Sequence, residues 1–152
     1  MGGISNRFID QVLTPTSMTY RGTYSSDFLP RHNYKHMPAS LVINLSRHTE
    51  KNGHFVSIYE DKNNLIYFDP LGLHPFIPAI CHFIERSGKN VRYNYTPVQS
   101  AASEYCGFFA MCFILWCEKI NDNMKDFISM FENNLVNNDS LVIGLLNTII
   151  EI

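Results

Sequence analysis

Hydrophobic residues recur along the chain at spacings that alternate between those of helices and those of strands. Apolar positions 4, 8, 9, 12 and 13 predict a short amphipathic helix over 4–13, which Thr14-Pro15 would end. Residues 14–38, rich in Pro, Ser, Thr and Tyr, predict an ordered but irregular segment. Mostly apolar runs at 41–45, 55–59 and 65–68 predict strands, and the turn at 61–64 joins the last two as a hairpin.

The rest of the chain is mostly helical in pattern. Isoleucines at helical spacing predict a helix over 76–87, and Gly88 can supply the left-handed turn that ends it. Residues 91–95 alternate as a strand does. The run 106–118 is apolar on every side and predicts a buried central helix, and helical patterns follow at 124–135 and 141–150. This order predicts an α+β domain in which a small sheet, mixed or antiparallel, packs on the central buried helix.

Composition limits the class of protein. A chain of 152 residues predicts one domain spanning 1–152, and 45% hydrophobic against 17% charged residues excludes a disordered chain. The net charge of −2, with no basic run, argues against a dedicated nucleic-acid binder. The longest apolar stretch, 106–117, is too short to span a bilayer, and no basic segment leads into an apolar one at the start. We therefore expect a soluble intracellular protein with no membrane partner.

The four cysteines lie at positions 81, 106, 112 and 117. No secretory signal accompanies them, so we expect no disulfide framework. They form no Cys-x-x-Cys pair and the histidines are scattered, so we expect no metal site either. Most of these cysteines should be buried small hydrophobes.

Cys106 differs from the other three because it opens the buried helix. A helix N-terminus favours the thiolate, and an imidazole held by a carboxylate completes the activation of a cysteine nucleophile. His54 and Asp69 flank the two strands of the hairpin, so they can meet at one end of the sheet. Gln99, in the loop before the helix, can donate its amide to an oxyanion together with the backbone N–H of Cys106.

Each of these residues also has an ordinary structural explanation. A cysteine that opens an apolar helix is most often a core residue, a strand histidine is often at the surface, and Asp-Pro is a common turn. Judged as residue types alone, the four positions favour a structural role over catalysis. Their chain order, His then Asp then Cys, excludes the papain-like enzymes, in which the cysteine comes first.

The strings around these positions are more specific than the residue types. The string GHF at 53–55 is similar to Gly/Val-His-Trp, and IYFDPLG at 66–72 resembles Tyr-Leu-Phe-(Asp/Glu)-Pro-Phe-Gly. The string VQSAASEYCGFF at 98–109 resembles a Gln…Cys-Gly-(Leu)-Phe motif with the same interval. On these strings the chain resembles the adenovirus protease family (adenain), within the wider group that includes the SUMO-specific proteases. The resemblance covers residues 1–117.

The resemblance implies a thiol protease with His54 as general base, Asp69 as its orienting partner, Cys106 as nucleophile and Gln99 as oxyanion donor. It also implies a viral or mobile-element enzyme that matures capsid precursors in the nucleus or cytoplasm of a host cell and can be packaged in the virion. Proteases of this kind use a disulfide-linked viral peptide and DNA as activators. Residues 87–98 contain no Cys, which argues against a disulfide-linked activator at that place, and the weak acidity of the chain argues against DNA. By the resemblance a viral peptide activator stays open, and we expect a monomer without a cofactor.

Substrate choice follows from the same resemblance, which implies a narrow tunnel for glycines before the scissile bond. The bulky Phe55, in place of the family's Trp, and Tyr105 flank the two motifs that would form its walls. If both rings instead point into the core, the cleft is open.

Three other functions remain open. The chain can be an isopeptidase for SUMO or ubiquitin-like conjugates, or a catalytically silent binding module. It can also be an acetyltransferase, since a related bacterial effector family uses a similar order, although 152 residues leave little room for the extra cofactor-binding segments.

Overall fold

Five strands form one mixed sheet, in the spatial order in which they follow along the chain. The computed structural model describes residues 3–32, 34–50 and 53–152. The first strand runs parallel to the second and the fourth parallel to the fifth, and the inner pairs are antiparallel. The strands are β1 (Tyr20–Ser25), β2 (Ala39–Asn44), β3 (Phe55–Glu60), β4 (Asn64–Phe68) and β5 (Asn90–Tyr93).

The helices are shared unequally between the two faces of this sheet. They are α1 (Asn6–Thr16), α2 (Pro78–Arg86), α3 (Cys106–Lys119), α4 (Met124–Ile128) and α5 (Asn138–Ile150), with a short 3₁₀ turn at Leu135–Asn137. Residues of α1, α3, α4 and α5 pack on one face in a core that includes Val42 and Phe68. Residues of α2 pack on the other face with Leu41 and Tyr67. Because both faces are covered, β2, β3 and β4 are apolar runs rather than alternating ones.

Helix α3 lies at the centre of the larger core. Eleven of its fourteen residues are buried, which explains why its sequence is apolar on every side. Phe113 stacks on Phe68 of β4 with ring centroids 4.6 Å apart. The predicted α+β class, with a small mixed sheet packed on a buried central helix, is confirmed.

Several predicted elements are confirmed and three need correction. The hairpin, the helix before Gly88 with its φ of +65°, and the last helix are present. Helix α1 continues through Pro15, which lies in its last turn, and ends at Thr16. The Thr16 hydroxyl donates to the Val12 carbonyl in that turn. No helix in the described part of the chain is long and apolar enough to cross a membrane.

The other two corrections concern segments whose patterns gave weak or misleading signals. Residues 14–38, predicted as irregular, contain β1, a strand at the edge of the sheet whose residues are all half-buried. The helix predicted over 124–135 ends at Ile128. Backbone N–H groups of Met130 and Phe131 bond three residues back, which tightens the chain into turns.

Candidate active site

The β3–β4 hairpin brings His54 and Asp69 together at one end of the sheet. His54 directly precedes β3 and Asp69 directly follows β4, so the antiparallel pairing makes them neighbours. Nε2 of His54 lies 2.6 Å from Oδ1 of Asp69. The same oxygen accepts the backbone N–H of Leu71 at 2.8 Å. The carboxylate is 1% exposed and the imidazole 21%, so a buried acid holds a ring that still reaches solvent.

Cys106 is the first residue of α3 and points its thiol at the start of β3. The backbone N–H of Phe55 donates to Sγ at 3.5 Å. The Cys106 thiol is also close enough to His54 to act on the ionisation of the imidazole, and since Nε2 pairs with Asp69, Nδ1 is the nitrogen that remains for the thiol. In the first turn of a helix the N–H groups have no intrahelical partner and favour negative charge nearby. The structure therefore places the thiol between an imidazole and a set of N–H donors.

The electrostatics of His54 follow from these contacts. Burial by itself disfavours the imidazolium, but hydrogen bonds to Asp69 and Cys106, with the charges of both, outweigh burial and raise the pKa of His54 to about 9. At neutral pH this environment keeps the imidazole protonated beside the thiol. The arrangement can support a thiolate–imidazolium pair.

Gln99 is buried in the loop before α3, at 2% exposure. Its Nε2 donates one hydrogen to the Ser103 carbonyl at 2.9 Å, which leaves the second amide hydrogen for another acceptor. Its Oε1 is buried without a hydrogen-bond partner among the described residues. The amide is thus fixed by the loop that leads into Cys106.

Glycines in the quoted strings are explained by close approaches. A Cβ on Gly53, before the histidine, would lie 1.6 Å from Oδ1 of Asn44. A Cβ on Gly107, after the cysteine, would lie 2.6 Å from the Ile4 side chain. Neither position has room for a side chain, so each glycine lets another segment pack against the residue beside it.

The two rings expected to form the cleft walls differ in burial. Phe55 is 3% exposed and belongs to the core, so its ring offers the cleft almost no surface. Tyr105 is 37% exposed and leans on Phe108, with ring centroids 5.3 Å apart. The expectation that both rings wall a tunnel is wrong for Phe55, because the ring fills the space beside Gly107.

The remaining cysteines lack the features of Cys106. Burial raises the pKa of both Cys112 and Cys117, and the charge of Asp122 adds to the effect on Cys117. Cys81 is half-buried, and all four cysteines are free thiols. Within residues 3–32, 34–50 and 53–152, no three side chains of His, Cys, Asp or Glu are grouped so that they could hold a metal ion.

Two backbone contributions to the site were not predicted from the sequence patterns. The N–H of Phe55 reaches the thiol only because β3 packs against the start of α3. The N-terminal segment also lies beside the cysteine, since a Cβ on Gly3 would lie 2.7 Å from the Glu104 carbonyl oxygen. Both are backbone contacts, so no residue-type signal announces them.

Comparison with known proteins supports the fold. No family model matches the chain. No curated protein matches it. Among solved structures, the ASFV pS273R protease matches with a TM-score of 0.65 and 15% identity, over 93% of this chain and 66% of that one. ChlaDub1 from Chlamydia trachomatis matches with a TM-score of 0.50 and 14% identity, over 75% of this chain and 60% of that one.

These matches show a shared fold at low identity. A structure of the SUMO protease Ulp1 also aligns, at a TM-score of 0.36 over 73% of this chain, and that weaker match carries no argument. The chain spans less than two thirds of the length of each of these proteins. The chain shares the fold of the ASFV pS273R protease and of ChlaDub1, and these matches do not single out the adenovirus protease.

Proposed function

We propose that this chain is a cysteine endopeptidase in which Cys106 is the nucleophile, His54 the general base and Asp69 its orienting partner. The observation that carries the proposal is the chain of contacts from the Asp69 carboxylate through the His54 imidazole to the Cys106 thiol at the start of a buried helix. The shared fold with the ASFV pS273R protease supports it.

The reaction is acyl transfer. In the thiolate–imidazolium pair the proton of the Cys106 thiol resides on His54, and the thiolate attacks the carbonyl carbon of the scissile peptide bond. The oxyanion accepts hydrogen bonds from the backbone N–H of Cys106 and from the free amide hydrogen of Gln99. His54 then protonates the leaving amine and, in the second half, takes a proton from the water that hydrolyses the thioester.

For the substrate, we propose viral structural precursors cleaved after glycine. We infer that the exposed Tyr105 ring, on the residue before the nucleophile, lines the cleft, so that a larger side chain next to the scissile carbonyl would meet it. Cleavage after Ala should be at least about tenfold slower than cleavage after Gly. We also propose that residues 1–152 act as one protease domain and as a monomer, in an infected cell or a virion, without metal or DNA. A peptide activator is not required by this proposal.

An isopeptidase acting on ubiquitin-like conjugates is the second candidate, and the fold shared with ChlaDub1 favours it. One panel separates the functions: a Gly-rich peptide library, SUMO and ubiquitin fluorogenic substrates, and acetyl-CoA with an acceptor peptide. Cleavage of the Gly-rich peptides that is lost in Cys106→Ala supports the endopeptidase. Turnover of the conjugates alone supports the isopeptidase, and efficient cleavage after Leu, Phe or Lys contradicts the glycine preference.

A further inference from the structure

A seam of backbone contacts, formed by residues 69–72 and 94–99, joins the segment of Asp69 to that of Gln99. The Pro70 carbonyl accepts the backbone N–H groups of Val98 at 2.9 Å and Gln99 at 3.1 Å. Gly72 has a φ of +72°, and a Cβ there would lie 2.8 Å from the Tyr95 carbonyl oxygen. The two segments therefore lie in direct backbone contact, with no side chain between them at this point.

Asn94 lies at the start of the second segment of the seam and is 2% exposed. Its Oδ1 accepts the backbone N–H of Asp69 at 2.9 Å, and its Nδ2 donates to the Asp69 carbonyl at 2.6 Å. Strand β5 ends one residue earlier, at Tyr93, which pairs with Tyr67 of β4. The Asn94 side chain thus bonds to the backbone of Asp69 just beyond the point where the backbone pairing of β4 with β5 ends.

This contact fixes the main chain of the residue that holds the imidazole. Both backbone groups of Asp69 are bonded to Asn94, and its Oδ1 accepts the Leu71 N–H. These bonds orient the carboxylate towards Nε2 of His54. An alanine at position 94 would leave the buried N–H of Asp69 without a partner and its carbonyl with the Gly72 N–H alone, at 2.8 Å. The carboxylate, still bonded to the Leu71 N–H, would then be held less firmly against the imidazole.

We propose that Asn94 is a positioning residue of the active site, which acts on His54 through the main chain of Asp69. The inference rests on the proposed peptidase function, and Asn94 itself touches neither the thiol nor the imidazole. No comparable contact is suggested by the sequence strings around the four predicted residues.

The ionisation of His54 reports on this role. The charged groups that act on His54 are Asp69, from the end of β4, and Cys106, from the start of α3. Burial opposes the imidazolium, so its stability depends on how closely the carboxylate is held. A loss of packing elsewhere lowers the melting temperature but leaves this balance unchanged.

The test compares Asn94→Ala with a matched control, Asn138→Ala. Asn138 is also fully buried, and its side chain pairs with the main chain of Glu132 and donates to the Val98 carbonyl at 2.8 Å, at the far end of the same seam. For each variant we would measure the pKa of His54 by NMR titration, kcat/KM on a Gly-containing peptide, and the melting temperature. Both variants should melt earlier than the wild type. Only Asn94→Ala should lower the pKa of His54, by about one unit, with a loss of about tenfold or more in kcat/KM.

An unchanged pKa for His54 in folded Asn94→Ala, or an equal shift in Asn138→Ala, would overturn the proposal. If Asn94→Ala does not fold, Asn94→Ser retains a short polar group and should shift the pKa of His54 in the same direction by less, and an unchanged pKa in that variant refutes the role. A wild-type protein that cleaves no peptide would contradict the proposed function, while the NMR comparison still decides whether Asn94 positions Asp69.

Discussion

The charge of Asp69 can be removed almost without changing the shape of the site. In Asp69→Asn the side-chain oxygen can still accept both hydrogen bonds that Oδ1 accepts now, from Leu71 N–H and from Nε2 of His54. The imidazole then keeps the tautomer in which Nδ1 is free to take the thiol proton. The substitution therefore isolates the effect of charge from that of orientation.

The size of the effect follows from the pKa of His54, which lies at about 9 in place of the usual 6.5. This difference corresponds to roughly 3 kcal/mol of preference for the imidazolium. Without the carboxylate charge, only Cys106 is left to oppose burial, so the pKa should fall towards its usual 6.5. A complete fall lowers the protonated fraction at pH 7.5 from about 97% to about 10%, so kcat/KM should fall by up to about 10–100-fold, with clear residual activity.

The assay is the pH profile of kcat/KM for the wild type, Asp69→Asn and Asp69→Ala, with Asp122→Asn as a control that removes an exposed carboxylate that is not among the charges acting on His54. We expect the basic limb to move to lower pH in Asp69→Asn, and activity to fall further in Asp69→Ala, which also loses the orienting oxygen. Equal inactivity of the two variants, or a basic limb that stays near pH 9 in Asp69→Asn, would refute the reasoning.

Three further predictions concern the nucleophile, the oxyanion donor and a charge cluster away from the site. Iodoacetamide near neutral pH should label Cys106 before the other cysteines, and peptide mapping that finds one of those labelled first contradicts the assignment. Gln99→Ala should lower kcat by about 10²–10³ with a smaller change in KM, and an unchanged kcat places the donor elsewhere. Burial opposes ionisation of Glu60, but the nearby His32, with Nδ1 3.5 Å from Oε1, and the hydrogen bond from Lys89 at 2.9 Å lower its pKa. The stability that Glu60 adds over Glu60→Gln should therefore be complete above about pH 5 and lost on acidification, and a pH-independent difference in urea unfolding would exclude it.

Sequence patterns predict well those elements whose apolar and polar positions follow directly from which sides are buried. Strands β2 to β4 and helix α3 are apolar because both sides of each are covered, and such runs are visible without a structure. Strand β1 lies at the edge with every residue half-buried, so its sequence carries no comparable signal. The pattern at 124–135 is helical, yet the helix ends at Ile128, where the backbone tightens into turns. The spacing of apolar side chains does not show where such turns begin.

For the candidate site, residue types and strings identify the side chains but not the backbone around them. His54, Asp69 and Cys106 stand next to strand or helix ends, which pattern analysis can locate. The Phe55 N–H at the thiol and the Asn94 clamp on Asp69 depend on how distant segments pack. The position of the Phe55 ring, in the core rather than in a cleft wall, depends on the same packing.

The central claim is that Cys106 is an activated nucleophile in a site that accepts glycine. Its most direct test is the intact mass of the protein after incubation with a Gly-Gly peptide that ends in a vinyl sulfone. The wild type should gain one adduct, mapped to Cys106, and neither Cys106→Ser nor His54→Ala should gain it at a comparable rate. An adduct on another cysteine, or an equal rate of labelling in His54→Ala, would contradict the proposal.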